Sequence, residues 1–177
     1  MAFGKPAHEE RFQRLARRIQ ELRLKDEEAQ QRRARIAEQR SEAVRRLWEL
    51  CHTFSEHLNT YIRHDRVELT PVEPPEEVPE DVPVQLLLNV RGRVLLLDVR
   101  APANLISTEN FKKPYILEGE VRFFSQELLE DERVEEHDIF FCPDEGKSGA
   151  WLYFNGHNYK SGPVEELYLA GLMERIL

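Results

Sequence analysis

One stretch of the sequence limits the possible folds more than any other, because Ala7 to Thr70 contains neither glycine nor proline. Residues that favour helices, chiefly glutamate, arginine, alanine, leucine and glutamine, fill most of it. The stretch therefore predicts one long α-helix from about residue 8 to about residue 63. Unbroken, this helix would be about 80 Å long at 1.5 Å per residue, several times the diameter of the body that the other residues can form. We expect its first half to project.

The apolar pattern changes along this predicted helix. With Phe12 at heptad position a, the a and d positions of the first half carry large apolar residues that we call the seam: Phe12, Leu15, Ile19, Leu22 and Ile36. Such narrow spacing is typical of a coiled coil, although Asp26, Arg33 and Arg40 interrupt the a positions. Beyond Ala43 the stripe widens to i, i+3, i+4, i+7 spacing, which is typical of a helix that packs on a sheet.

This change predicts two domains, a projecting basic helical arm at 1–41 and an α+β globular domain at 42–177. Within the second domain, residues 71–83 (PVEPPEEVPEDVP) contain five prolines and five acidic residues. Proline at this density prevents both a helix and a central strand. We expect residues 71–83 to form an extended acidic connector.

From Val84 the apolar period falls towards two, which predicts β-strands. The first predicted element is a hairpin over 84–99, with Asn89 and Gly92 at the ends of a type I turn. A strand over 115–125 with a bulge at Gly119, a helix or turn over 126–136 and a strand over 137–142 follow. The last elements are a two-residue hairpin at Asn155-Gly156 and a helix after Pro163. The predicted fold class is α+β. A long amino-terminal helix packs its second half on an antiparallel sheet of about five to seven strands, and a short carboxy-terminal helix completes the fold.

Charge is distributed unevenly along the chain. Residues 1–66 carry 15 Lys and Arg against 11 Asp and Glu, whereas residues 67–177 carry 10 against 22. In the arm, the flanking heptad positions e and g hold no acid, so two copies would not gain the usual flanking ion pairs. The basic residues that we consider candidates for contact with an anionic partner are Arg11, Arg18, Lys25, Arg32 and Arg33. The arm therefore predicts either modest self-association through the seam or an anionic partner, such as an acidic helix or a phosphate backbone.

Motifs for enzymatic chemistry are weak in this sequence. Gly146-Lys147-Ser148 resembles the end of a phosphate-binding loop, but Phe141 occupies the position where that loop needs its first glycine. We expect a turn there and no nucleotide. The two cysteines lack CxxC spacing, no histidine pair has metal-ligand spacing, and no serine lies in a GxSxG motif. We predict no catalytic residue, cofactor or metal, although a site assembled from distant segments remains an alternative.

Aromatic residues are concentrated around the predicted Asn155-Gly156 hairpin. Trp151 and Tyr153 share one face of a strand, and Tyr159 lies beyond the turn. Packing in the core or across strands is the favoured interpretation of these side chains. The alternative is an exposed aromatic patch of Trp151, Tyr153 and Tyr159 that binds a partner.

The function predicted from these patterns is a non-enzymatic interaction or scaffolding protein that assembles through its helical arm with itself or another helical protein. One alternative is a nucleic-acid-associated protein that binds through the arginine-rich arm. Another is a ligand-binding or enzymatic α+β domain with a pocket between helix and sheet. The sequence shows no membrane span and no signal peptide, and we expect a reduced, cytoplasmic protein.

Overall fold

The computed structural model describes residues 5–102, 111–125, 137–144 and 146–177. The chain divides into two compact units, Met1–Glu38 and Gln39–Leu177. The elements are helix α1 (Lys5–Asn59), strands β1 (Glu68–Thr70), β2 (Val84–Val90), β3 (Arg93–Arg100), β4 (Leu117–Ser125), β5 (His137–Asp144), β6 (Lys147–Asn155) and β7 (Lys160–Pro163), and helix α2 (Glu166–Ile176). Among these elements, no helix combines the length and the apolar character that crossing a membrane requires.

The seven strands that the structure describes in the second unit form one antiparallel sheet in which each strand pairs with the next along the chain. Along each strand the side chains alternate between the two faces of the sheet, and one face is more deeply buried than the other. In β2, Leu86, Leu88 and Val90 are buried, while the residues between them are half-buried. The α+β prediction is confirmed in its long first helix, its antiparallel sheet and its short last helix.

The main core of the second unit lies between one face of this sheet and the two helices. Leu47 and Phe54, which belong to the widened stripe of α1, are buried in it, whereas Leu58 of the same stripe is only half-buried. From α2, Leu169, Leu172 and Met173 complete the cluster. The sheet contributes Leu86, Leu88, Leu95, Leu97, Val99, Leu117, Val121, Ile139, Phe141 and Trp151.

Both predicted hairpin turns differ from their expected types. Between β2 and β3 the loop is Arg91-Gly92, and both residues have positive φ, 52° and 80°, as in a type I′ turn rather than type I. Between β6 and β7 the pair Asn155↔Lys160 leaves a loop of four residues instead of two. The Asn155 side chain accepts a hydrogen bond from the backbone N–H of His157 at 2.9 Å, so it shapes this longer loop.

Gly119 is not the bulge that we predicted. It pairs regularly with Val99 on one side and with Ile139 on the other. A Cβ atom at this position would lie 2.5 Å from the backbone oxygen of Asp98, which is closer than real Cβ atoms come. Glycine is therefore needed for the close approach of two central strands.

Two further predicted segments have different outcomes. Residues 71–83 contain neither helix nor strand, in agreement with the expectation from their prolines. The helix or turn predicted for 126–136 lies outside the described residues.

The position of Cys51 in the core makes a labelling prediction. Its side chain is fully buried, and burial raises the pKa of the thiol from 9.0 to about 12. Because the thiolate is the reactive form, this shift alone leaves roughly a thousandfold fewer reactive groups at neutral pH. We expect Cys51 of a Cys142→Ser variant to resist iodoacetamide in the folded protein and to react in urea, as followed by mass spectrometry. Fast labelling without denaturant would contradict its placement in the core.

Candidate interaction surface on the amino-terminal helix

The first half of α1 exposes large apolar side chains in a regular pattern. Phe12, Leu15, Ile19 and Leu22 have exposed fractions of 60%, 53%, 58% and 53%. They occupy successive a and d positions, so they share one face over about 15 Å of helix. The last seam residue, Ile36, is half-buried. An apolar face of this kind is typical of a contact surface.

The seam ends before Arg40, which lies in the second unit and contacts other residues of that unit. Its Nε atom donates a hydrogen bond to the backbone oxygen of Ile116 at 2.9 Å, and Nη2 donates to the oxygen of Pro102 at 2.8 Å. Burial lowers the pKa of this guanidinium, and the charge of Glu80 opposes that effect. The sequence showed Arg40 only as an interruption of the a positions. In the structure Arg40 binds backbone carbonyls of its own unit, so it is not part of the free surface.

Three further contacts hold the second half of α1 in its unit. Arg46, a basic residue at position g, donates to the backbone oxygens of Ser148 and Gly149. The indole of Trp151 donates to the backbone oxygen of Ala43 at 2.8 Å, and the indole of Trp48 donates to that of Pro71 at 2.8 Å. The helix therefore changes character between Ile36 and Ala43, from an exposed seam to a packed stripe.

The basic residues proposed for an anionic partner lie on the exposed part of the helix. Arg11, Arg18, Lys25, Arg32 and Arg33 are all exposed. Within the described part of the chain, none of them forms an ion pair or a side-chain hydrogen bond. The ion pair seen in this region joins Arg23 to Glu27 at 2.8 Å, four residues apart on the helix. The five cations are therefore available to a partner, together with the seam beside them.

No family model, curated protein or solved structure matches this chain. A function therefore has to be argued from the chemistry of the surface itself.

The alternative of one exposed aromatic patch is wrong. Trp151 is only 6% exposed, because it packs in the core and its indole binds α1. Tyr153 is half-buried and stacks on Tyr168, with ring centroids 4.4 Å apart and planes at 9°. Only Tyr159 is well exposed, at 73%. Trp151 and Tyr153 therefore pack within the fold, and the three side chains do not form one partner surface.

Sequence reasoning missed a buried polar network beneath α2. His137 is 4% exposed, with Nδ1 3.0 Å from the Tyr168 hydroxyl and Nε2 3.1 Å from the Asn155 amide nitrogen. An amide nitrogen can only donate, so the Asn155 amide donates to Nε2 of the ring. His137 lies two residues before Ile139 on the inward face of β5, and this period-two spacing was the available signal.

The outer face of the sheet carries a second aromatic cluster and an open cleft. Phe111 and Tyr115 cover Phe140 and Phe154 of the strands. Beside them, a cleft of about 390 Å³ is lined by Asp98, Glu120 and Asp138, which are neighbours across three strands. Across the described ranges, no group of three or more His, Cys, Asp or Glu side chains is arranged to hold a metal ion.

The Gly146-Lys147-Ser148 segment spans the end of the β5–β6 connection and the first two residues of β6. Gly146, with φ of 79°, lies in the connection from β5 to β6, and Asp144 pairs with Lys147 in the ladder. The Lys147 side chain is 81% exposed and lies 3.9 Å from the Asp144 carboxylate. A phosphate-binding loop leads from a strand into a helix, so this geometry fits the predicted turn instead.

Proposed function

We propose that this protein is a non-enzymatic interaction or scaffolding protein that assembles through a coiled-coil-like contact of its amino-terminal arm. The observation that supports the proposal is the exposure of four large apolar side chains at successive a and d positions, Phe12, Leu15, Ile19 and Leu22. Hydrophobic side chains at this spacing form the seam of helix pairs. The partner is a protein that presents a complementary helix. We place this assembly in the cytoplasm, where the two free cysteines would stay reduced.

The size of the seam sets the expected strength of the contact. Full burial of such a side chain contributes about 1.5–3 kcal/mol, and these four are already nearly half-covered by their own helix. The remaining gain is about 1 kcal/mol each, or about 4 kcal/mol in total. A partner helix that buries four such side chains of its own would double this gain to about 8 kcal/mol, and the cost of association, about 4–15 kcal/mol, offsets half or more of it. A stable complex therefore needs the partner to add contacts beyond the seam.

A second candidate function is nucleic-acid binding through the arm, and the five exposed cations, which have no ion pair within the described residues, favour it. Counterion release would then make the affinity fall steeply with salt. However, seven acidic residues occur between Glu9 and Glu38 and would oppose a phosphate backbone. The apolar seam would also have no role in binding phosphates. We therefore rank the protein contact first.

Two aspartates in the seam are expected to abolish assembly. In an Ile19→Asp, Leu22→Asp variant, two charges replace the apolar centre of the surface, so the contact should weaken at least tenfold. Assembly is measured by sedimentation of the full chain over a range of concentrations, and by photocrosslinking in the native host from a benzophenone amino acid at Phe12. The melting temperature of Gln39–Leu177 should change by no more than a few degrees, because neither residue lies in that unit.

A matched control keeps the charge change but leaves the seam intact. Gln20→Asp with Leu24→Asp alters positions b and f of the same heptad, and Leu24 is already 59% exposed. This control should assemble like the unmodified chain. Equal loss in both variants would show a general effect of charge on the helix. If the unmodified chain stays monomeric and forms no crosslinks, the proposed function is wrong.

A further inference from the structure

The charges beside the seam identify the kind of partner that fits it. We infer that the seam binds an acidic amphipathic α-helix of another protein rather than a second copy of this chain. The inference rests on the proposed function, since it names the occupant of the same surface. Four consecutive g positions carry a cation: Arg11, Arg18, Lys25 and Arg32. All four are exposed, and none forms an ion pair among the residues that the structure describes.

The opposite flank of the seam offers no compensating acid. The e positions are Ala16, Arg23, Gln30 and Ala37, and the one basic residue among them already binds Glu27 on its own helix. In a parallel pair of copies, Arg18 would face Arg23 of the other copy. In an antiparallel pair, the g positions would face one another, cation against cation. Because like charges at these positions oppose pairing, both arrangements of a homodimer are disfavoured.

An acidic partner converts the same charges into favourable contacts. Glutamates at its flanking positions would meet the g cations, and an acid opposite Arg33 would compensate the cation at that a position. The seam alone is too small for a stable complex, so flanking ion pairs supply the contacts that it lacks. They also provide selectivity, because a basic or neutral helix would lose them. Charge complementarity thus favours an acidic helix over a second copy.

Two synthetic helices test the inference. Each has four heptads with leucine at a and d; one carries glutamate at e and g, and the other carries lysine. Binding to the full chain is measured by fluorescence anisotropy at about 20 mM and about 300 mM salt. We expect the acidic peptide to bind at least tenfold more tightly than the basic one, and its affinity to fall as salt screens the ion pairs. The Ile19→Asp, Leu22→Asp variant should lose this binding.

A charge-reversal variant shows whether the cations at the g positions determine the preference for the acidic peptide. Arg18→Glu with Lys25→Glu leaves the seam and the helix-forming character intact, since glutamate also favours helices. This variant should bind the acidic peptide at least tenfold more weakly and the basic peptide more tightly than the unmodified chain does. Circular dichroism checks that the helix is retained. The double change Arg14→Glu with Arg35→Glu, at position c on the far side of the helix, is the matched control and should change the preference little.

The possible outcomes separate the inference from the proposed function. If both peptides bind equally well and the Ile19→Asp, Leu22→Asp variant binds neither, the inference of an acidic partner is wrong, but the proposed contact with a helix is supported. Concentration-dependent self-association that strengthens with salt, without peptide binding, would show that a second copy is the occupant. Binding of a labelled single-stranded oligonucleotide but of neither peptide would overturn both in favour of nucleic acid. No binding and no self-association would also overturn both.

Discussion

Replacing Leu47 with alanine is expected to lower the free energy of unfolding by about 2–5 kcal/mol, because the change removes a fully buried side chain and leaves a cavity. The same substitution at Leu24, on the same helix, should change it by less than about 0.5 kcal/mol. Leu24 is 59% exposed, and alanine is the better helix former. Urea denaturation of both variants, followed by circular dichroism and tryptophan fluorescence, measures the difference.

This pair of variants tests where the helix changes character. Both substitutions remove the same atoms from the same helix, so side-chain chemistry cannot account for a difference between them. Small and equal effects would contradict the placement of Leu47 between sheet and helices. A large effect at Leu24 would mean that a contact covers the first half of α1. Either result would require the seam to be interpreted differently.

The long helix and the positions of the longer strands were predictable because they depend on local patterns. The stretch from Ala7 to Thr70 lacks the two residues that end helices most strongly, and the observed helix ends at Asn59. The change of period near Val84 likewise marks the first long strand. β1, at Glu68–Thr70, was missed because three residues are too few to show a period.

Turn types were less predictable because several geometries suit the same residues. Asn89 and Gly92 are compatible with a type I turn, but the pairing of Val90 with Arg93 leaves only Arg91 and Gly92 in the loop. The Asn89 side chain does accept a hydrogen bond from the N–H of Gly92, at 3.0 Å. Thus the residues that shape the turn were identified, while strand pairing decided its type.

For the candidate surface, the sequence located the seam but not its end. Heptad spacing selects Phe12, Leu15, Ile19 and Leu22, and the structure leaves these side chains exposed. The role of Arg40 depends on the backbone oxygens of Ile116 and Pro102, which are distant in sequence. No local pattern reports such contacts. A local pattern does not report a partner either, so the contact of the seam with a partner stays a prediction.

The second large expected effect concerns the hairpin aromatics. Trp151→Ala should lower the free energy of unfolding by about 3–5 kcal/mol, because Trp151 is only 6% exposed. Its ring packs edge-on against that of Phe141, with ring centroids 5.5 Å apart, and its indole N–H donates to the backbone oxygen of Ala43. Tyr159→Ala, on the same hairpin, should cost less than about 1 kcal/mol, because that ring is 73% exposed. Chemical denaturation of both variants measures the two effects.

A milder variant keeps the test informative if Trp151→Ala fails to fold. Trp151→Phe retains an aromatic ring in the core but removes the N–H donor. It should therefore lower the free energy of unfolding by less than Trp151→Ala does and leave the protein folded. Because Trp151 joins the sheet to α1 through Ala43, both changes should also speed hydrogen exchange in that part of the helix. Exchange at residues 12–22 should not change, since those residues lie in the other unit. If Trp151→Ala and Tyr159→Ala cost equally little, Trp151 is not a core residue, and an aromatic partner surface on the hairpin would have to be considered again.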